Sequence, residues 1–240
     1  MENVHAEMLT LVILIMVAGM LTASRGGLGT WWLRSTFSQM LMDPNQFSEG
    51  TMKYIQNRYM VRIGDLHKMY VPICIGRHWF LMVVDMHDRT LVYLDSLKSN
   101  DHRASRVALM DNLAKQIQDM VCADKHDKHD VFRANGKKIA NIANFGIHEP
   151  KTGQQGPFTN DYGVWVCEWM RTSHLWRNYD LQGISESTRM ALAVDLVMTE
   201  DNPLGIVISR KAVKYWDDQM WEAVTGMPRQ HTSGSTSTSI

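Results

Sequence analysis

The stretch YVPICIGRHWFLMVVDMHDRTLVYLDSL, residues 70–97, decides the fold. Phe80-Leu81-Met82-Val83-Val84 and Leu91-Val92-Tyr93-Leu94 are uninterrupted apolar runs of strand length, the pattern of strands covered on both faces. Met86-His87-Asp88-Arg89 between them reads as a turn, so the two runs form a hairpin. If Asp85 pairs with Thr90, then Phe80 faces Asp95, and His78 lies diagonal to Asp95 on the same sheet face. Diagonal neighbours stand about 7–8 Å apart at Cα, a gap that a His and an Asp side chain can close. An imidazole oriented by a carboxylate is half of a nucleophilic triad, although a plain hydrogen bond between facing strands has the same pattern.

Outward from the hairpin, Tyr70 to Cys74 is a further strand, and Ser48 to Tyr59 reads as a short helix ahead of it. From Val107 onward Met110, Leu113, Ile117, Met120 and Val121 recur at helical spacing, with polar residues between, giving an amphipathic helix with one core face. A polar stretch follows from Asp124 to Asp130, then a strand candidate at Asn144 to His148. Helices are expected from Asp161 to about Trp176 and from Thr188 to Thr199. The segment from Arg229 ends in SGSTSTSI and has almost nothing to bury, so residues 226–240 read as a disordered tail behind one domain of 1–225.

Met8 to Ala23 is the most apolar window. Glu2, His5 and Glu7 precede it where a signal peptide needs Lys or Arg, and it is short of the roughly 20 residues that span a bilayer, so a buried core helix ended by Gly26 and Gly27 is the favoured reading. Twenty-five basic residues balance 25 acidic ones, which removes the overall electrostatic drive toward nucleic acid or an anionic membrane. Three cysteines, Cys74, Cys122 and Cys167, are too far apart for metal-type spacing and do not form a disulfide scaffold, so a reducing nuclear or cytoplasmic location is the default.

The wording around the His-Asp pair carries more. Tyr70-Val71-Pro72-Ile73, Arg77-His78-Trp79-Phe80 and Tyr93-Leu94-Asp95-Ser96-Leu97 resemble the His-Trp and Asp-Ser blocks of the Ulp1-type cysteine proteases, in the version found in plant transposon-related reading frames. Further on, Gln154-Gln155 followed by Asn160-Asp161-Tyr162-Gly163-Val164-Trp165-Val166-Cys167 resembles the third block, where a Gln precedes Asp-Cys-Gly at a helix start. The resemblance implies an α+β, papain-like fold of the adenain/Ulp1 type, with a central mixed sheet flanked by helices. It implies cysteine-type cleavage after the Gly-Gly end of a SUMO-type ubiquitin-like protein, with no metal or other cofactor and no nucleic-acid or membrane partner. Carried over by position, His78 is the general base, Asp95 its orienting carboxylate, and Trp79 a wall of the channel that clamps the Gly-Gly tail. Gln155 or Gln154 lines the oxyanion hole, because the spacing from Gln155 to the nucleophile position is one residue longer than in the best-known members. Gly163 and Gln154 fall at substrate-contacting positions. The apolar Met8 to Ala23 helix and the segment around Trp31 and Trp32 match the family's domain start, which usually has more sequence upstream, so the resemblance also implies an N-terminally truncated domain.

One position departs from the pattern. The nucleophile position holds Tyr162. A thiol at a helix N-terminus beside a histidine is poised as thiolate, because the helix dipole and the imidazolium both favour the anion. A phenol is a far poorer acyl acceptor and leaving group, and its ring fills the space where the scissile carbonyl must lie. Turnover is therefore expected to be very low or absent, which leaves an impaired protease, a non-catalytic module that binds a ubiquitin-like protein, or a decayed mobile-element product. Cys167 lies five residues on, rotated by about 140° around the helix, and reads with Cys74 as core. The Lys125-His126-Asp127-Lys128-His129-Asp130 cluster has metal-ligand types, but its interleaved lysines read as a solvated loop.

Overall fold

The computed structural model describes residues 30–33, 35–43, 66–122, 133–134, 137–138, 141–156, 159–172, 183–198 and 204–225, with Ser48, Gly50, Lys53, Tyr179 and Asn202. The expected helices at Met8 to Ala23 and Ser48 to Tyr59, the Lys125–Asp130 cluster and the tail lie outside these residues, apart from the single positions named.

Seven strands are described: β1 (Thr30–Trp32), β2 (Lys68–Ile75), β3 (His78–Asp85), β4 (Thr90–Leu94), β5 (Arg133–Ala134), β6 (Lys137–Lys138) and β7 (Gly146–His148). The helices are α1 (Ser35–Met42), α2 (Asn100–Cys122), α3 (Tyr162–Thr172), α4 (Glu186–Met198) and α5 (Gly205–Thr225). Five strands form one mixed sheet in the order β1-β2-β3-β4-β7, with β1 parallel to β2, β7 parallel to β4, and the three central strands antiparallel. The pair β5 and β6 stands apart as a small hairpin.

The hairpin register is the one the sequence predicts: Asp85 pairs with Thr90 and Leu81 with Leu94. Asp85 also closes the turn, since its Oδ1 accepts from the main-chain N–H groups of His87 and Asp88 at 3.0 Å. On one face of the sheet Phe80, Met82 and Val84 pack with Phe37 of α1 and with Met110, Leu113 and Ile117 of α2. On the other, Trp79, Leu81 and Val83 pack with Trp165, Val166 and Trp169 of α3. This two-sided burial is why the central strands read as continuous apolar runs.

Three helices differ from expectation. The helix seen from Val107 begins at Asn100. Helix α1 carries Phe37 and Leu41 into the core yet is only eight residues long, too brief for its period to stand out. Helix α5 was not expected at all. Its close join to α4 requires glycine, because a Cβ at Gly205 would collide with the carbonyl oxygen of Val197.

Candidate active site

His78 is the first residue of β3, and the turn before it fixes its position. Gly76 and Arg77 form a two-residue loop with φ of 53° and 70°, the left-handed pair that a tight hairpin demands. Glycine meets that demand freely, whereas Arg77 occupies a strained region. The imidazole stacks on Phe80, with ring centroids 6.4 Å apart, and its Nε2 lies 2.8 Å from Asp95 Oδ1. The diagonal pairing drawn from the strand register is therefore the observed contact.

Asp95 is fully buried at 0% exposure and four groups hold it. Besides His78, it accepts from the Tyr93 hydroxyl at 2.6 Å, from the Leu97 N–H at 2.8 Å and from Arg106 Nη1, which reaches Oδ2 from α2. Burial alone would raise the Asp95 carboxyl, but the His78 hydrogen bond and charge, with the Tyr93 and Leu97 donors, hold it below the ordinary carboxylate range. The Tyr93 hydroxyl is pushed up, first by burial and then by its bond to Asp95. Arg106 was not among the residues the sequence singled out. Its signal was present, however, because 106 continues the 110, 113, 117, 120 stripe one turn earlier, placing a guanidinium on a core-facing position.

With Nε2 engaged, His78 Nδ1 is buried and has no hydrogen-bond partner among the described residues. The Tyr162 ring stands edge-on to the imidazole at 5.7 Å between centroids. Tyr162 opens α3, so the side chain beside the histidine comes from a helix N-terminus. The preceding Asp161 accepts two bonds from Arg189 of α4, at 2.9 and 2.7 Å, and that contact, ahead of any effect of burial, holds its carboxyl below the usual range. Gly163 is buried in the first turn of α3.

The two glutamines clamp the loop after β4. Gln155 accepts from the Ser96 hydroxyl at 2.8 Å and donates to the Thr159 carbonyl at 2.7 Å. Gln154 accepts from the Lys98 N–H and donates to the Asp95 carbonyl at 3.0 Å. Both side-chain amide N–H groups are thus engaged by main-chain carbonyls. Trp79 is 2% exposed and sits beneath the site among Tyr70, Trp165 and Trp169, so in this conformation it backs the site from the core.

Cys167 is buried, and burial, followed by the Glu168 charge, pushes its thiol up to about 12. Cys74 is half-buried, and desolvation raises it despite a main-chain hydrogen bond at Arg77. Neither is poised as a thiolate. In native protein at about pH 8, iodoacetamide should leave Cys167 unmodified and should label Cys74 more slowly than a free thiol, both reacting fully after unfolding. Mass spectrometry reads the result, and rapid native labelling of Cys167 would make it a candidate replacement nucleophile. No cluster of three or more metal-ligand side chains occurs among the described residues, and none of the described helices is long and apolar enough to cross a membrane.

A helix N-terminus delivering one side chain to an imidazole on a sheet strand, with a carboxylate from the next strand behind that imidazole, defines the papain-like α+β architecture of cysteine proteases. Residues 32–172 match the model of the Ulp1 protease family, C-terminal catalytic domain, and the chain belongs to that family. Among solved structures, the SUMO protease Ulp1 with its catalytic cysteine oxidised to a sulfenic acid superposes with a TM-score of 0.57 at 20% identity, over 79% of this chain and 76% of that one. The C-terminal Ulp1 protease domain in complex with Smt3, the yeast ortholog of SUMO, gives 0.50 at 22% identity, over 74% and 70%. At such identities the likeness is one of fold. No curated protein matches the chain in sequence.

Proposed function

We propose that this Ulp1-family domain receives the Gly-Gly tail of a SUMO-type protein in a nuclear or cytoplasmic setting and does not turn it over, because Tyr162 occupies the nucleophile position. The observation that carries this reading is the contrast around His78. Its Nε2 is locked to Asp95 while its buried Nδ1 is left for a proton donor, yet the helix N-terminus beside it brings a half-buried phenol ring. His78 and Asp95 then keep the base and its orienting carboxylate without a nucleophile. Gln155 or Gln154 with main-chain N–H groups would hold an oxyanion once released from its present carbonyl partner. Gly163 leaves room for the tail at the helix start, and Trp79 supports the channel from below.

A titration with unmodified SUMO tests the binding half and is expected to saturate in the micromolar range, a free energy of about −8 kcal/mol. A fluorogenic substrate carrying the SUMO C-terminal Gly-Gly tests the other half and is expected to stay intact. Hydrolysis that disappears in His78→Ala would overturn the loss of turnover, and absence of saturation would overturn the binding role.

A further inference from the structure

Helix α5 presents an apolar seam to solvent. Ile206, Ser209, Val213, Trp216, Met220 and Ala223 recur at spacings of three and four, the repeat of a coiled-coil interface. Ile206, Val213, Trp216 and Met220 are each 60% exposed or more. The α4 stripe of Met190, Val194 and Met198 is also exposed and runs toward this helix, where the Ser209 hydroxyl contacts the Met198 sulfur at 3.8 Å.

The charges on α5 say what covers the seam. Arg210, Lys211 and Lys214 occupy its first half, and Asp217, Asp218 and Glu222 its second. For the helix alone this order is unfavourable: the first turn has no acid, the last turn has no base, and Glu222 stands at the negative end of the dipole. Within the helix Lys214 stands three and four residues from Asp217 and Asp218, the spacing of local ion pairs, whereas Arg210 and Asp217 are two turns, roughly 10 Å, apart. An antiparallel second copy resolves both problems. It opposes the two dipoles and lays each basic half against an acidic half.

We propose that α5 is a homodimerisation helix, pairing antiparallel with the α5 of a second copy of this chain. The repeat then sets the register. Ile206 layers on Ala223 of the second copy, Ser209 on its Met220, and Val213 on its Trp216, so the three layers share one two-fold centre. Flanking the seam, Arg210 and Asp217 of the second copy come within two residues of the same level, about 3 Å along the axis, a gap the arginine side chain spans, and the two-fold repeats the pair.

Sedimentation velocity of the full chain over about 1 to 100 µM tests this, with a dimer of twice the 27.5 kDa chain mass expected at the upper end. Trp216→Glu should give monomer throughout. Arg210→Asp and Asp217→Arg, both exposed substitutions whose folding circular dichroism can check, should each weaken association by at least about ten-fold, because each brings two like-charge pairs together. Mixing these two variants in equal amounts should restore dimer, since one then carries Asp and the other Arg at both positions. Wild-type chain that stays monomeric at the top of the range overturns the proposal, and so does a dimer that ignores the charge changes or a mixture that fails to recover.

Discussion

Replacing Tyr162 with cysteine is expected to give the domain hydrolysis of a SUMO C-terminal substrate, rising from background by about three orders of magnitude or more. The groups such a thiol needs are already placed. Tyr162 is the first residue of the 11-residue helix α3, so a thiolate there would feel the positive end of the dipole. His78 Nδ1, buried and without a partner among the described residues, is the atom that would take the thiol proton. The resulting imidazolium would be held by Asp95 through Nε2 at 2.8 Å. Removing the ring also opens the space beside the imidazole where a scissile carbonyl must enter. The check is the initial rate with Tyr162→Cys, alone and combined with His78→Ala, together with labelling by an electrophilic SUMO probe. The double variant should return to background. If Tyr162→Cys neither hydrolyses nor labels, position 162 is not the nucleophile position of this fold.

The His-Asp half of this site was legible in sequence because two strong local rules meet there. Alternation along a strand and pairing across a four-residue turn fix a register, and the register alone places His78 diagonal to Asp95. The position of Tyr162 was legible only through its wording, since nothing local says which sheet edge a helix start will meet. What stayed hidden depends on tertiary packing. The resemblance puts Gln155 or Gln154 at the oxyanion hole, but their bonds to the Thr159 and Asp95 carbonyls come from loops that no periodicity describes. Trp79, which the resemblance puts at a channel wall, packs in the core with the α3 tryptophans, and that packing joins residues more than 80 positions apart. Helix α5 escaped because Ile206-Val207-Ile208 and Tyr215-Trp216 blur its stripe, so its repeat becomes plain only once the helix itself is known.

Arg106→Met is expected to destabilise the domain by about 3 kcal/mol, the usual result of leaving one charge of a buried pair uncompensated. For a chain of this size that corresponds to a fall in Tm of roughly 6–12 °C. Arg106 bonds Asp95 Oδ2, donates to the Leu97 carbonyl at 3.2 Å and lies over the Phe80 ring at 5.9 Å, joining α2 to the loop after β4 and to the strand that carries His78. Methionine keeps most of the apolar contact and removes the charge, so the loss reports on the carboxylate. The pH dependence follows from the Asp95 shift. Its folded carboxyl lies below its unfolded value of about 3.9, so its stabilising contribution is complete above that pH and is lost as pH falls through the folded value. Taking Arg106 away should raise the folded value, narrow that shift and move acid unfolding to higher pH. Adding Asp95→Asn to Arg106→Met should recover part of the stability and remove the acid-sensitive step, because no buried charge is then left unpaired. Thermal melts across about pH 3 to 7 read both effects. If Arg106→Met melts with wild-type protein throughout, the bond between α2 and Asp95 contributes nothing to the fold, and the carboxylate is held by His78, Tyr93 and the Leu97 N–H alone.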